Sequence, residues 1–170
     1  MAVNETDNQY LAFVMNGENY AIAISDVREV LTVPKMTRIP RMPDFMRGVI
    51  NLRGSVVPIL DLRTKFGLGI TEITSDTAII VAEIIDLAED TTNLRLGLLA
   101  DSVSKVCAIQ PDNIEPAPKI GLSVDTSFIE GIGKIDSTFT VILNTREILT
   151  HDDLSRLSEI GSAGEDKQAE

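Results

Sequence analysis

Apolar and polar residues alternate from Gln9 to Met15, the period of two that a half-buried strand requires, and Asn16-Gly17 then supplies a hairpin turn into a second strand, Glu18–Ile24. Ser25 or Asp26 stands where it can cap a short helix. Val27, Val30 and Leu31 follow at i, i+3 and i+4, so the spacing predicts one apolar helical face. Pro34, Pro40 and Pro43 punctuate the next connection. Val49–Leu52 and Val56–Leu62 read as two strands across an Arg53-Gly54 turn, and Pro58, lacking an N–H, confines the second to an edge or a barrel seam. The second half opens with the near-continuous apolar run Thr77–Ile85, expected to be a buried strand. An acidic loop, Asp86–Asn93, leads to a strand at Leu94–Ala100, and Asp101 and Ser102 cap a second short element carrying Val103 and Val106. Beyond the Pro-rich stretch Pro111–Pro118, strands are expected at Ile129–Ile135 and Thr138–Asn144. Residues 1–8 are polar and expected to be loose; the polar, acidic tail 151–170 has little to bury. Short strands with regular turn signals and short helical connectors predict an all-β protein of two small barrels.

Part of that pattern occurs twice. Residues 45–66, FMRGVINLRGSVVPILDLRTKF, and 128–149, FIEGIGKIDSTFTVILNTREIL, align at an offset of 83. The alignment equates Phe45 with Phe128, Gly48 with Gly131, Leu52 with Ile135, Ile59 with Ile142, Leu60 with Leu143 and Arg63 with Arg146. Upstream, an offset of 76 equates Ile22 with Leu98, Val27 with Val103 and Val30 with Val106. Two fused copies of one small β unit account for both, with one longer connection in the second. The halves span about 9–67 and 76–150, and the pattern allows either separate halves or halves that exchange segments. Gly48 and Gly131 precede equivalent strands, which points to positive φ or a close backbone approach.

Charge and composition narrow the function. The chain of 170 residues carries a net charge of −11, which argues against nucleic acid as the main partner. Within it, residues 28–65 hold eight basic side chains against three acidic ones, a cationic strip of +5 on an otherwise acidic body, the arrangement that orients an acidic partner. No tryptophan and seven other aromatics, mostly at apolar positions, offer no stacking platform for bases, so a nucleic-acid-binding barrel is the weaker alternative. No apolar run approaches the roughly 20 residues of a membrane span. MAVNETDNQY has neither the basic nor the apolar region of a signal peptide, and the single cysteine, Cys107, excludes an internal disulfide and reads as a buried structural thiol; together these predict a cytoplasmic protein. The only histidine, His151, lies in the polar tail, so no nucleophilic triad and no ordinary zinc site is available. Gly131-Ile-Gly133-Lys134 fails as a phosphate loop because Phe128 stands at the first glycine position and Ile135 follows the lysine. Asp61 and Asp101 follow strands and read as caps. No enzyme, cofactor or metal is expected.

The stretch GVINLRGSVVPILDLR (Gly48 to Arg63) resembles the CheW family of bacterial chemotaxis coupling proteins. So do YAIAISDVREVL at 20–31, PDFMRG ending at Gly48, LADSVSKV at 99–106 and FIEGIGKI at 128–135, giving a likeness over roughly residues 8–150. The resemblance implies a duplicated, intertwined pair of small five-stranded SH3/OB-like barrels in a domain spanning 9–150. It also implies a non-catalytic adaptor between the cytoplasmic tips of methyl-accepting chemoreceptors and the regulatory domain of the histidine kinase CheA, recruited to membrane-bound arrays without inserting into the membrane. An adaptor of a pilus-type chemosensory pathway is the alternative within the same class. Carried over by position, a receptor groove between the barrels maps to Leu11, Ile24, Val27, Val30 and Val103, with Val106 added through the repeat. Glu29 and Arg53 match a charged pair for receptor coupling, and Gly48 and Gly131 match kinase-contact candidates. The loop 86–93 is longer than the family's usual hairpin.

Overall fold

Asn16 and Gly17 adopt φ of +55° and +74°, so the first strand, β1 (Gln9–Met15), turns directly back into β2 (Glu18–Ala23). The computed structural model describes residues 8–85, 93–116 and 127–149; the first seven residues, most of the acidic loop, the end of the Pro-rich stretch, His151 and the tail lie outside the described residues. After β2 come a 3-10 turn at Ile24–Asp26 and the strands β3 (Val27–Thr32), β4 (Met46–Leu52) and β5 (Ser55–Leu60). The helix α1 (Leu62–Lys65) precedes β6 (Ala78–Ile85), β7 (Asn93–Ala100), β8 (Ser102–Ala108), β9 (Ile129–Ile135) and β10 (Thr138–Leu143).

The strands form two five-stranded sheets, ordered β8-β1-β2-β10-β9 and β3-β6-β7-β5-β4. Advancing every label of the second by five, cyclically, reproduces the first, so the sheets are repeat-equivalent. Each is built from both halves of the chain: β1 and β2 complete the sheet of the second half, while β6 and β7 complete the sheet of the first. Each sheet also closes on itself. Beyond β3, Thr37 exchanges backbone hydrogen bonds of 2.9 and 2.8 Å with Val49 on β4; beyond β8, Glu115 does the same with Ile132 on β9 at 2.9 and 2.7 Å. The first barrel is therefore β3-β6-β7-β5-β4, and the second is β8-β1-β2-β10-β9.

The apolar residues segregate into three layers. Ile50, Val57, Ile59, Ile79, Val81 and Leu99 fill the first barrel. Tyr10, Ala21, Ile109 and Ile142 fill the second. The largest cluster takes Leu11, Phe13, Met15, Tyr20 and Ile22 from one sheet and Leu60, Ile80, Ala82, Leu96 and Leu98 from the other, so it is the core between the barrels. Phe66 stacks on Phe128 over the same core, with ring centroids 4.2 Å apart. Pro58 sits within β5 opposite Val49 of β4, one residue before the parallel pairing with β7 begins at Ile59, so its missing N–H leaves that ladder intact.

The expected helix over Val27–Leu31 is a strand, and so is the element carrying Val103 and Val106. A β-bulge explains the misleading spacing. Val27 pairs with Ala82 and Val30 with Ile80, so three steps on β3 match two on β6. Val103 pairs with Phe13 and Val106 with Leu11, the same displacement on β8. An extra residue restores two valines at i and i+3 to one face of a strand, the placement that an i, i+3 helical pair would also give.

Candidate functional site

β3 and β8 are edge strands of their sheets, opposite β4 and β9 at the other edges. Their register partners Ala82, Ile80, Phe13 and Leu11 all belong to the core between the barrels, so Val27, Val30, Val103 and Val106 face that layer. Leu11 is buried, and Ile24, Val27 and Val103 are partly buried against the same core. Val30 and Val106 emerge from it, 42% and 48% exposed. The six residues expected to form a groove thus grade from core to surface at the inter-barrel layer: Leu11 is buried, Ile24, Val27 and Val103 are partly buried, and Val30 and Val106 are exposed. Thr145, just past β10, donates a 2.8 Å hydrogen bond to Asp26 and anchors the turn that carries Ile24.

Glu29 and Arg53 do meet. The guanidinium donates to both carboxylate oxygens, at 2.6 and 3.0 Å. That hydrogen bond, reinforced by the fields of Arg53 and Arg95, holds the Glu29 carboxyl below its ordinary value despite some desolvation. The pair lies on the other side of β3 from the valines, since Glu29 is in register with Val81 of the first barrel's interior. A partner lying along the free edge of β3 would touch both sides.

Gly48 and Gly131 lie elsewhere, and both are buried. A Cβ on Gly48, whose φ is +151°, would stand 2.6 Å from the Thr37 carbonyl oxygen; one on Gly131 would stand 2.5 Å from Ile114 Cγ2 and 2.8 Å from the Glu115 carbonyl oxygen. These are the segments that close the barrels. Gly131-Ile-Gly133-Lys134 is part of β9, not a loop. Asp61 caps α1, as expected, through Arg63 N and Thr64 N, and is also fully buried against Arg47 and Thr71. Cys107 is half-buried, more open than anticipated, and its Sγ lies 3.9 Å from the Tyr10 carbonyl oxygen. Among the described residues no cluster of His, Cys, Asp and Glu could hold a metal ion, and no helix is long and apolar enough to cross a membrane.

Two features escaped the sequence reading. Lys105 pairs with Asp136 across the mouth of the second barrel, the repeat-equivalent of Glu29 with Arg53; adding the offsets 76 and 83 to the first pair would have located it. Arg28 and Arg95 join Glu29 and Arg53 around one pocket over Leu52 and Val81, and only the pairing of β6 with β7 reveals that neighbourhood.

Residues 9–153 match the family model of the CheW-like domain. The chain belongs to the CheW family. Chemotaxis protein CheW of Helicobacter pylori is 34% identical over 88% of this chain and 86% of its own length. CheW of Klebsiella aerogenes is 28% identical over 96% and 94%. In the crystal structure of the scaffolding protein TtCheW from Thermoanaerobacter tengcongensis the fold recurs with a TM-score of 0.75 and 31% identity, covering 90% of this chain and 96% of that one. The CheW likeness therefore extends through both barrels and includes the seam.

Proposed function

We propose that this protein is a non-catalytic chemotaxis adaptor that couples the cytoplasmic tips of chemoreceptors to the regulatory domain of a CheA-type histidine kinase in membrane-associated arrays. The observation that carries this reading is the partly exposed apolar seam, with Val30 and Val106 on two bulged edge strands, in a chain that matches CheW over nearly its full length. A receptor helix laid along the seam covers both valines, the helix-in-groove mode of recognition. The Glu29–Arg53 pair then presents a fixed charge pattern beside it. Gly48 and Gly131 serve the kinase contact indirectly, by allowing Thr37 and Glu115 to close their barrels and so shaping the outer surfaces. Such an adaptor transmits signal through differential binding to the kinase-on and kinase-off arrangements and needs no chemistry of its own.

Calorimetry with the full chain tests the reading. The regulatory domain of the same organism's CheA-like kinase is expected to bind at about micromolar affinity or tighter, and a receptor-tip fragment to bind in a way that Val30→Ser weakens. Failure of both partners to bind removes the function and leaves the fold.

A further inference from the structure

The mouth of the first barrel is a pocket of about 310 Å³, lined by Arg28, Glu29, Leu52, Arg53, Val81 and Arg95. Three guanidiniums stand there against two carboxylates: Glu29, engaged by Arg53, and Glu83, which pairs with Arg28. Arg95 projects from β7 opposite Glu83 on β6 and is exposed. Leu52 and Val81 give the pocket an apolar base, where a charge-assisted hydrogen bond is less weakened by water.

The duplication supplies an internal control. In the second barrel the positions equivalent to Arg28, Glu83 and Arg95 hold Ser104, Val14 and Asn19, with Val14 opposite Asn19 as Glu83 is opposite Arg95. That barrel folds and closes with none of these charges. Only the central pair is kept at both mouths, as Glu29–Arg53 and Lys105–Asp136. The first barrel adds to that common pair three guanidinium or carboxylate groups, Arg28, Glu83 and Arg95; with Arg28 set against Glu83 and Arg53 against Glu29, the mouth keeps one net positive charge, to which Arg95 contributes an exposed guanidinium.

We infer that this pocket is an acceptor for a carboxylate side chain of the chemoreceptor tip, held by Arg95 together with Arg53 and Arg28. The occupant follows from charge complementarity and from continuity with the Glu29–Arg53 pair beside the seam, so the choice of receptor rests on the adaptor reading above. Arg95 supplies a planar fork that matches a carboxylate, a geometry lysine does not reproduce.

Two measurements on the full chain test it. In the first, arginine Nε–H signals are followed by NMR while a blocked tetraglutamate peptide is added at low salt. Saturable shifts at Arg95 and Arg53, suppressed by salt and lost in Arg95→Gln, are expected. Absence of shifts, or equal shifts at surface arginines such as Arg38 and Arg146, overturns the pocket. In the second, Arg95→Glu is expected to weaken binding of a receptor-tip fragment about tenfold and Arg95→Lys to fall between it and wild type. Kinase-domain binding is expected to stay within about twofold, with the circular dichroism melt unchanged for these exposed positions. Unaltered receptor binding by Arg95→Glu, or a loss confined to the kinase, overturns the receptor as occupant. Wild-type protein that binds neither partner overturns the adaptor reading, and the peptide titration still decides the pocket.

Discussion

Lys105 occupies on β8 the place that Glu29 occupies on β3, and it carries the opposite charge. Each reaches the turn that links the last two strands of its repeat: Glu29 meets Arg53, whose φ is +50°, and Lys105 meets Asp136, whose φ is +49°. The duplication has kept the contact and reversed its polarity. A molecule with pseudo-two-fold symmetry of shape is thereby asymmetric in charge, and an elongated partner lying across both edges has one preferred direction. Such complementarity serves orientation more than raw affinity.

Arg53→Glu places two carboxylates where a pair stood, the new one on an exposed turn and Glu29 partly covered beside it. The melting temperature is expected to move little and receptor-fragment affinity to fall. The double change Glu29→Arg with Arg53→Glu rebuilds the pair with its polarity inverted. Receptor binding is expected to stay low in the double variant, and calorimetric recovery to wild-type affinity would show that polarity is not read.

The seam valines and the core beneath them separate in a mutational series. Val30→Ser and Val106→Ser change stability within about 0.5 kcal/mol, because both side chains are substantially exposed, yet each weakens receptor binding. Leu11→Ala, at a buried position, costs about 2–5 kcal/mol. Urea melts alongside binding titrations check this, and equal loss of stability at all three positions would assign the valines to the core alone.

Gly48 and Gly131 differ in what a side chain meets. At Gly48 a Cβ collides with the backbone of Thr37 in a conformation that disfavours any L residue, so Gly48→Ala is expected to cost about 2–4 kcal/mol. At Gly131 a Cβ meets the Ile114 Cγ2 methyl and the Glu115 carbonyl oxygen, but the backbone there has no positive φ, so only the crowding counts and about 1–3 kcal/mol is expected. Denaturant unfolding of the two alanine variants gives the order directly; the reverse order contradicts the close-approach account at Gly48.

Asp61 makes stability depend on acid. Burial alone pushes its carboxyl up, but hydrogen bonds from the Thr71 hydroxyl and backbone, from Arg47 and from Thr64 more than offset this and hold it below the ordinary aspartate value. A carboxyl lowered on folding stabilises fully above its unfolded pKa of about 3.9 and loses that contribution as pH falls through the lower folded value. Asp61→Asn is therefore expected to be clearly less stable than wild type near neutrality, with the gap shrinking below about pH 4. A gap equally wide near pH 3 would locate the effect in packing.

The strands and their tight turns were legible because alternation and residues such as Asn16-Gly17 act locally. The repeat was legible because Phe45, Gly48, Ile59 and Leu60 recur as Phe128, Gly131, Ile142 and Leu143 in fixed order. Val27 to Leu31 misled because a bulge shifts the strand's phase by one, and no residue there marks the bulge. Which sheet receives β1 and β2 was not legible either, since alternation sets the buried face of a strand and not its neighbour. Asp61 showed its capping role, yet its buried bond to Thr71 depends on how the connection after α1 folds back.

The exchanged hairpins have a mechanical consequence. Among the described strands the chain passes from one barrel to the other twice, through the Ile24–Asp26 turn between β2 and β3 and at Asp101 between β7 and β8. Val27 and Val103 begin just beyond those passages. A helix resting in the seam thus clasps both straps that join the two bodies, and any change in its footprint alters the leverage between them at the points where the molecule is spliced.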